Sequence, residues 1–287
     1  MARRDLAARA LTPSLSARTL TVGLLALTAV YFVAPIVWLV IASSKDNASL
    51  LDSPGFSFST IQWGENWQSL MAWSAGLYPL WVVNSIFYST VSAALGTLVA
   101  VACGYAIAKF EFPGRKLLQG FVLTGLLMPV AILTVPLYVL FQQLGLTNSV
   151  WSIIIPCAVS PFGVLLGRVY AEASVPTELL EAARIDGAGE LRIFITIVLR
   201  LLAPPMVTIF LFVFVATWNN FLLPLMMISS SSLKPVTLGL YGMTSYFSPD
   251  KGAVLLGALL GVIPLIVLFV ALQRFWQSGL AAGAVKG

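Results

Sequence analysis

The stretch that decides the fold is Thr19–Ser44, TLTVGLLALTAVYFVAPIVWLVIASS, 26 residues without an Asp, Glu, Lys or Arg. At 1.5 Å per helical residue, about 20 apolar residues cross roughly 30 Å of hydrocarbon. The stretch outruns the 7–15 apolar residues of a cleaved signal peptide, so it reads as a retained span. Four more uncharged runs follow: Asn66–Ala108, Leu117–Gly167, Leu201–Leu233 and Gly252–Gln273. The Leu117–Gly167 run holds 51 residues, too many for one helix, and a polar break at Gln142–Ser149 (QQLGLTNS) divides it. The expectation is an all-α membrane protein with six transmembrane helices near 20–42, 79–108, 117–140, 150–169, 200–228 and 252–274.

Composition agrees. Apolar residues make up 59% of the chain and charged residues 9%, against about 45–50% and about 25% in soluble domains. So few charges cannot cover a water-facing surface, which excludes a soluble enzyme, a disordered chain and a nucleic-acid binder. With no histidine, neither a His-based triad nor a His-ligated metal site is available, and no metal site is expected. Cys103 and Cys157 sit in apolar runs and read as small buried hydrophobes rather than a disulfide framework.

Lys and Arg set the orientation. Arg3, Arg4, Arg9, Arg18, Lys109, Arg115, Lys116, Arg168, Arg184, Arg192, Arg200, Arg274 and Lys286 fall on one side, thirteen in all, against Lys45, Lys234 and Lys251 on the other. This places both termini in the cytoplasm. The +5 net charge is a topology signal, not a nucleic-acid footprint. The organisation expected is a cytoplasmic tail at 1–18, a membrane domain at 19–276 and a cytoplasmic tail at 277–287. The longest outer segment, 45–78, carries Asn66–Trp73, which reads as a short interfacial helix; the segment reads otherwise as a tether between helices or as a contact for an external partner. Tyr31, Trp63, Trp67, Trp73, Trp81 and Trp151 read mostly as interfacial anchors.

No Asp, Glu, Lys or Arg lies mid-membrane in this assignment. That disfavours a self-sufficient ion-coupled carrier or an intramembrane protease, and suits a neutral polar cargo. Nine prolines interrupt the spans: Pro35, Pro129, Pro136, Pro156, Pro161, Pro204, Pro205, Pro224 and Pro264. They are read either as bends around a path or as the ordinary proline content of membrane helices. Asn84, Ser85, Ser89, Thr90 and Ser92 cluster in the second span, and Thr208, Thr217, Trp218, Asn219 and Asn220 in the fifth. Amides and hydroxyls hydrogen-bond a sugar and indole stacks on its apolar face; the same groups also serve as helix–helix glue.

Between the fourth and fifth spans, Ser174–Pro205 reads SVPTELLEAARIDGAGELRIFITIVLRLLAPP. Pro176 and Thr177 open a helix. Glu178 and Glu181 sit in or near its first turn, where carboxylates suit the dipole. Glu181 and Arg184, three apart, are placed to pair. Gly187 ends the helix in a left-handed conformation. A second amphipathic stretch, Glu190–Leu199, leads into the fifth span. Leu179, Leu180, Ala182, Ala183 and Ile185 need a surface to cover, either this chain's own helix ends or a groove on a partner.

Glu181-Ala182-Ala183, then Asp186-Gly187-Ala188, then Phe194 and Ile197, resembles the EAA loop of ABC-importer membrane subunits. More narrowly, the chain resembles carbohydrate-uptake permeases of the smaller maltose-type subunit. Asn84-Ser85, Phe110–Lys116, Met128-Pro129, Pro136-Leu137-Tyr138, Leu144-Gly145-Leu146, Trp218–Phe221 and Gly279–Gly287 extend the similarity over nearly the whole chain. One departure is Leu199-Arg200, where the family has Leu-Pro and a proline bend. The resemblance implies an ABC importer type I permease fold in a bacterial or archaeal cytoplasmic membrane. It implies a neutral sugar as cargo, a second homologous permease, two ATP-binding subunits and an extracytoplasmic solute-binding protein. The coupling residues so implied are Glu178, Glu181, Ala182, Ala183, Arg184, Asp186, Gly187 and Ala188, in the loop 170–199. The same resemblance implies ATPase contact for the C-terminal stretch from Gln277 as well; read from its residues alone, that stretch is equally a frayed chain end. Polarity together with the resemblance points to Asn84, Ser85, Trp218, Asn219 and Asn220 as the substrate path. The chain has no Gly-x-x-x-x-Gly-Lys-Ser/Thr motif, so ATP and Mg belong to the ATPase subunits, and the chain reads as a transport subunit rather than an enzyme. Alternatives are a permease for glycerol-phosphate or another polyol-type solute, a stand-alone carrier or channel, and a non-transporting scaffold.

Overall fold

The computed structural model describes residues 15–244 and 250–284, with side chains up to Gln273. Arg3, Arg4 and Arg9 of the first tail and residues 285–287 of the last lie outside the described residues. The chain divides into two units: one from the residues before Met71 and the helix start Lys251–Leu259, the other from Met71–Thr244 and the residues from Leu260 on.

In the first unit, α1 (Leu15–Ser43) fills the first uncharged run. Its Thr19, Thr21 and Thr28 hydroxyls donate to carbonyls one turn back, so these three are satisfied within a largely apolar helix. Two short helices follow, α2 (Asn47–Asp52) and α3 (Trp63–Trp73), the second covering the expected interfacial helix. Asp46 caps α2 by accepting from the Ser49 N–H, and the Ser49 hydroxyl together with that N–H holds its carboxyl below the ordinary carboxylate range. Lys45 is 1% exposed, and its Nζ donates to Ser53 Oγ and the Pro54 carbonyl, both at 2.8 Å. Asn66 Nδ2 donates to the Ser43 and Lys45 carbonyls, and Asn47 Oδ1 accepts from the Lys251 N–H.

The second unit is built around α4 (Tyr78–Lys109), which packs on α8 (Pro161–Ser174) and α12 (Ala203–Trp218). Small residues permit the approach. A Cβ on Gly104 would lie 2.5 Å from the Arg168 backbone nitrogen, and one on Gly96 would lie 2.8 Å from the Ala158 carbonyl oxygen. Gly167 answers from α8, where a Cβ would stand 3.1 Å from the Ala100 carbonyl oxygen. Close backbone packing of this kind replaces the hydrophobic drive that helices lack in lipid.

Three of the expected spans are interrupted. The third forms α5 (Arg115–Leu127) and α6 (Val130–Gln143), bent by 111°. The break is Met128-Pro129: proline offers no N–H and forces its predecessor into extended backbone, and Met128 has ψ 124°. The fourth forms α7 (Trp151–Cys157) and α8, whose start is capped by Ser160 Oγ accepting from the Gly163 N–H. The fifth is preceded by α9 (Thr177–Ile185), α10 (Glu190–Ile193), a π-helical turn (Phe194–Val198) and α11 (Leu199–Leu201). An 82° bend then leads into α12. The expected span to 228 ends instead at Trp218: Asn219 and Asn220 interrupt it, Asn220 Oδ1 accepts from the Leu223 N–H, and a separate α13 (Leu222–Met227) follows. Two further helices complete the chain, α14 (Val236–Tyr241) and α15 (Lys251–Ala284), the latter continuing past the expected end at 274.

By length and composition, four of these segments can cross a membrane, and the two bent pairs also qualify when each is taken as one span. Cys103 and Cys157 are free and partly rather than fully buried.

Candidate functional site

The loop after α8 turns on Val175, which is 1% exposed, and Pro176, whose extended backbone sets the start of α9. Along α9 the apolar side chains divide. Leu180 is 1% exposed, whereas Leu179 is 41% and Ile185 86% exposed. Ala183 is half-buried; Glu178, Glu181, Ala182, Arg184, Asp186 and Gly187 are exposed and Ala188 is half-buried. The two readings of the loop thus each claim one face: Leu180 packs on this chain, and Leu179, Ala182 and Ile185 are left uncovered.

The end of α9 follows from Gly187. Its φ of +78° is the left-handed conformation expected. The Ala188 N–H donates to the Ala183 carbonyl and the Gly187 N–H to the Arg184 carbonyl, each at 3.0 Å, the paired bonds of a Schellman ending. Arg184 does not take the expected partner Glu181. Its Nε donates to Glu190 Oε1 at 2.6 Å and its Nη2 to Oε2 at 3.4 Å. The reversal at Gly187 brings the first carboxylate of α10 in front of the guanidinium. The Glu190 hydrogen bond raises the Arg184 pKa above its ordinary value.

The bend before α12 forms without a proline at position 200. Arg200 is exposed, and the turn is made at Leu202, with Pro204 and Pro205 in the first turn of α12 and the π-helical Phe194–Val198 just before it. Prolines at a helix start forgo only N–H groups that have no intrahelical acceptor, and a π-turn relaxes the ladder ahead of them.

The residues singled out for a substrate path fall into two groups. On α4, Asn84 Nδ2 donates to the Ser232 and Lys234 carbonyls at 2.8 and 3.0 Å, and Ser85 Oγ accepts from the Val236 N–H at 2.8 Å. Trp81 Nε1 donates to the Ser231 carbonyl and Tyr88 Oη to the Leu233 carbonyl. At the α12–α13 break, Trp218 is 3% exposed and stacks on Phe214 with ring centroids 5.8 Å apart. Asn219 is exposed and donates to the Val215 carbonyl of its own helix. Asn220 Nδ2 points at Cys157 Sγ, 3.5 Å away, and its carbonyl accepts from Thr237 Oγ1. The two groups meet through neighbouring residues of α14, Val236 and Thr237.

Sequence reasoning missed the part played here by Trp81 and Tyr88. Their spacing around Asn84, three and four residues, is the helical signal that puts all three on one face. It also missed Asn148, whose Oδ1 accepts from the Ser229 and Ser230 N–H groups and holds the far side of the same segment. A cavity of about 580 Å³ lies elsewhere, between Ala94, Thr97 and Leu98 of α4, Met206 and Phe210 of α12, and Leu268 of α15. Its lining is apolar apart from Thr97, and none of the five path residues reaches it.

Comparison with known proteins identifies the architecture. Residues 94–281 match the family described as "Binding-protein-dependent transport system inner membrane component". The chain is 34% identical over 271 residues to the arabinooligosaccharides transport system permease protein AraQ of Halalkalibacterium halodurans, covering 93% of this chain and 96% of that one. It is 32% identical over 264 residues to the lactose transport system permease protein LacG of Rhizobium radiobacter, covering 92% and 94%. In fold it is similar to a chain of a bacterial ABC transporter involved in import of the acidic polysaccharide alginate, with a TM-score of 0.77 at 21% identity, over 92% of this chain and 99% of that one. A chain whose helical spans are joined by an EAA-type helix ending at a left-handed glycine, and which shares this family match over most of its length, belongs to the inner membrane components of binding-protein-dependent transport systems.

Proposed function

We propose that the chain is one of two permease subunits of an ATP-driven importer for a neutral sugar or oligosaccharide, and that α9 couples it to an ATP-binding subunit. In this reading each bent pair is one span, giving six, and the excess of Lys and Arg sets both termini in the cytoplasm of a bacterial or archaeal cell. A second permease completes the path, two ATPase subunits bind below and hold ATP and Mg, and an external binding protein delivers the solute. The sugar assignment is supported by the relatives, named for arabinooligosaccharides, lactose and diacetylchitobiose.

The observation that carries the coupling role is the uncovered face of α9. A nine-residue helix has little stability of its own. One buried leucine holds it to this chain, while Leu179, Ala182 and Ile185 remain open to a partner groove. Glu178, Glu181, Ala183, Asp186, Gly187 and Ala188 frame that face. ATP drives the cycle only if the ATPase prefers one arrangement of the spans over the other, since differential affinity alone shifts a population. Asn84, Ser85, Trp218, Asn219 and Asn220 remain proposed as the part of the chain nearest the solute, Asn84 and Ser85 through the segment that they hold.

Replacing Gly187 tests this in the complete reconstituted complex. A Gly187→Val side chain is strained at φ +78° and turns α9 away from its neighbour. ATP hydrolysis is expected to continue while uptake falls at least tenfold. Wild-type uptake per ATP in that variant would refute the coupling role.

A further inference from the structure

Resting on that coupling role, we infer that Arg184, Glu190 and Phe110 form a clasp that passes the movement of α9 to α4. Alone, α9 is poorly connected. Its principal packing neighbour is α10, just across Gly187. A left-handed glycine between two short helices is a joint that turns easily, so a push on α9 could be absorbed there rather than transmitted.

The Arg184–Glu190 pair bridges that joint. Arg184 stands in the last turn of α9 and Glu190 opens α10, one on either side of Gly187. Two guanidinium nitrogens meet two carboxylate oxygens, at 2.6 and 3.4 Å. A two-point contact fixes orientation as well as distance, which a lysine cannot do. The same guanidinium lies over the Phe110 ring, 6.0 Å from its centroid, within reach of a cation–π attraction. Phe110 is the residue that ends α4. Its ring meets Tyr105 of α4 edge-on at 5.4 Å, and Tyr105 meets Phe194 of the π-helical turn at 5.8 Å. The contacts close a circuit from α9 through α10 and the π-turn to the end of α4. Tyr105 is 4% exposed and its hydroxyl has no hydrogen-bond partner among the described residues, so packing of the rings is what holds it.

The pair is 38% and 48% exposed, and exposed ion pairs add little to folding stability. Arg184 is thus a positioning residue whose loss leaves the protein folded but the joint slack. That separates a transmitting role from a merely structural one.

The test uses the full complex in nanodiscs on a Cys103→Ala, Cys157→Ala background. Nitroxide labels at Leu95→Cys on α4 and Val139→Cys on α6 report span movement, and a photo-cross-linker at Glu178 reports contact with the ATPase. ATP should change the label distance by about 1–2 Å, the size of interface helix shifts. Arg184→Gln should keep the cross-link and lose at least half of that change, and Arg184→Lys, which cannot make the two-point contact, should behave like it. Arg184→Gln with a full distance change overturns the clasp, as does a wild-type complex whose cross-link forms but whose distance stays fixed. An Arg184→Gln complex that loses the cross-link overturns it too, because Arg184 would then be an ATPase contact. Absence of the cross-link in the wild type instead removes the coupling role on which the clasp rests.

Discussion

At its beginning, α4 holds the 231–236 segment through Trp81, Asn84, Ser85 and Tyr88, each bonded to backbone of that segment. Just past its other end, Phe110 faces a loop whose apolar Leu179 and Ile185 are left uncovered and whose ion pair is exposed. In the first region polar side chains satisfy backbone groups of an irregular segment that no helix ladder pairs. In the second, apolar side chains stay in the open, which a chain functioning alone has no reason to keep. The contrast separates what holds the subunit together from what it offers to others, and substitutions in each region should therefore fail differently.

The largest effect is expected where backbones touch. Gly104→Val puts a side chain against the backbone of α8, which cannot yield as a flexible side chain does. A stability loss of about 3 kcal/mol or more is expected, read as thermal unfolding in detergent. Unchanged unfolding would show that α4 and α8 are not held this closely.

A smaller loss is expected from Asn84→Ala, which removes hydrogen bonds to the Ser232 and Lys234 carbonyls and costs about 0.5–1.5 kcal/mol. This variant also sharpens the division within the substrate-path residues. If Asn84 serves the segment alone, thermal stability falls and the KM for uptake holds. If it also meets the solute, KM rises, and Asn84→Asp with its reversed hydrogen-bonding separates the two.

The smallest folding effect belongs to Ile185→Ser. At 86% exposure the side chain contributes little to this chain, so stability should stay within about 0.5 kcal/mol. Co-purification of the ATPase subunits should nevertheless drop several-fold. A stability loss without a binding loss would mean that Ile185 belongs to this chain's own packing.

Local patterns in the sequence made much of this visible. Uncharged runs located α1, α4 and the start of α15, because span length is set by lipid thickness and by little else. Gly187 was legible because a left-handed residue after a short helix has one favoured identity. The bends were legible as prolines but not as angles: Pro129 marks the 111° break, and Pro204 and Pro205 replace the bend that Arg200 leaves unmade. Hydropathy carried the fifth span through to 228, since it averages Asn219 and Asn220 into apolar neighbours. The partner of Arg184 was misjudged because helix spacing favours Glu181 and cannot look around the turn to Glu190. The bonds of Asn84 and Ser85 join residues about 150 positions apart, a relation that no window on one sequence contains.

A cross-link from the uncovered face of α9 is the sharpest test of its proposed docking on an ATPase subunit. With Ile185→Cys in the assembled complex and a short thiol-to-amine reagent, one product joining this chain to an ATP-binding subunit is predicted, varying in yield between nucleotide-free and ATP-bound states. A complex that assembles and hydrolyses ATP yet yields no such product in either state would contradict it.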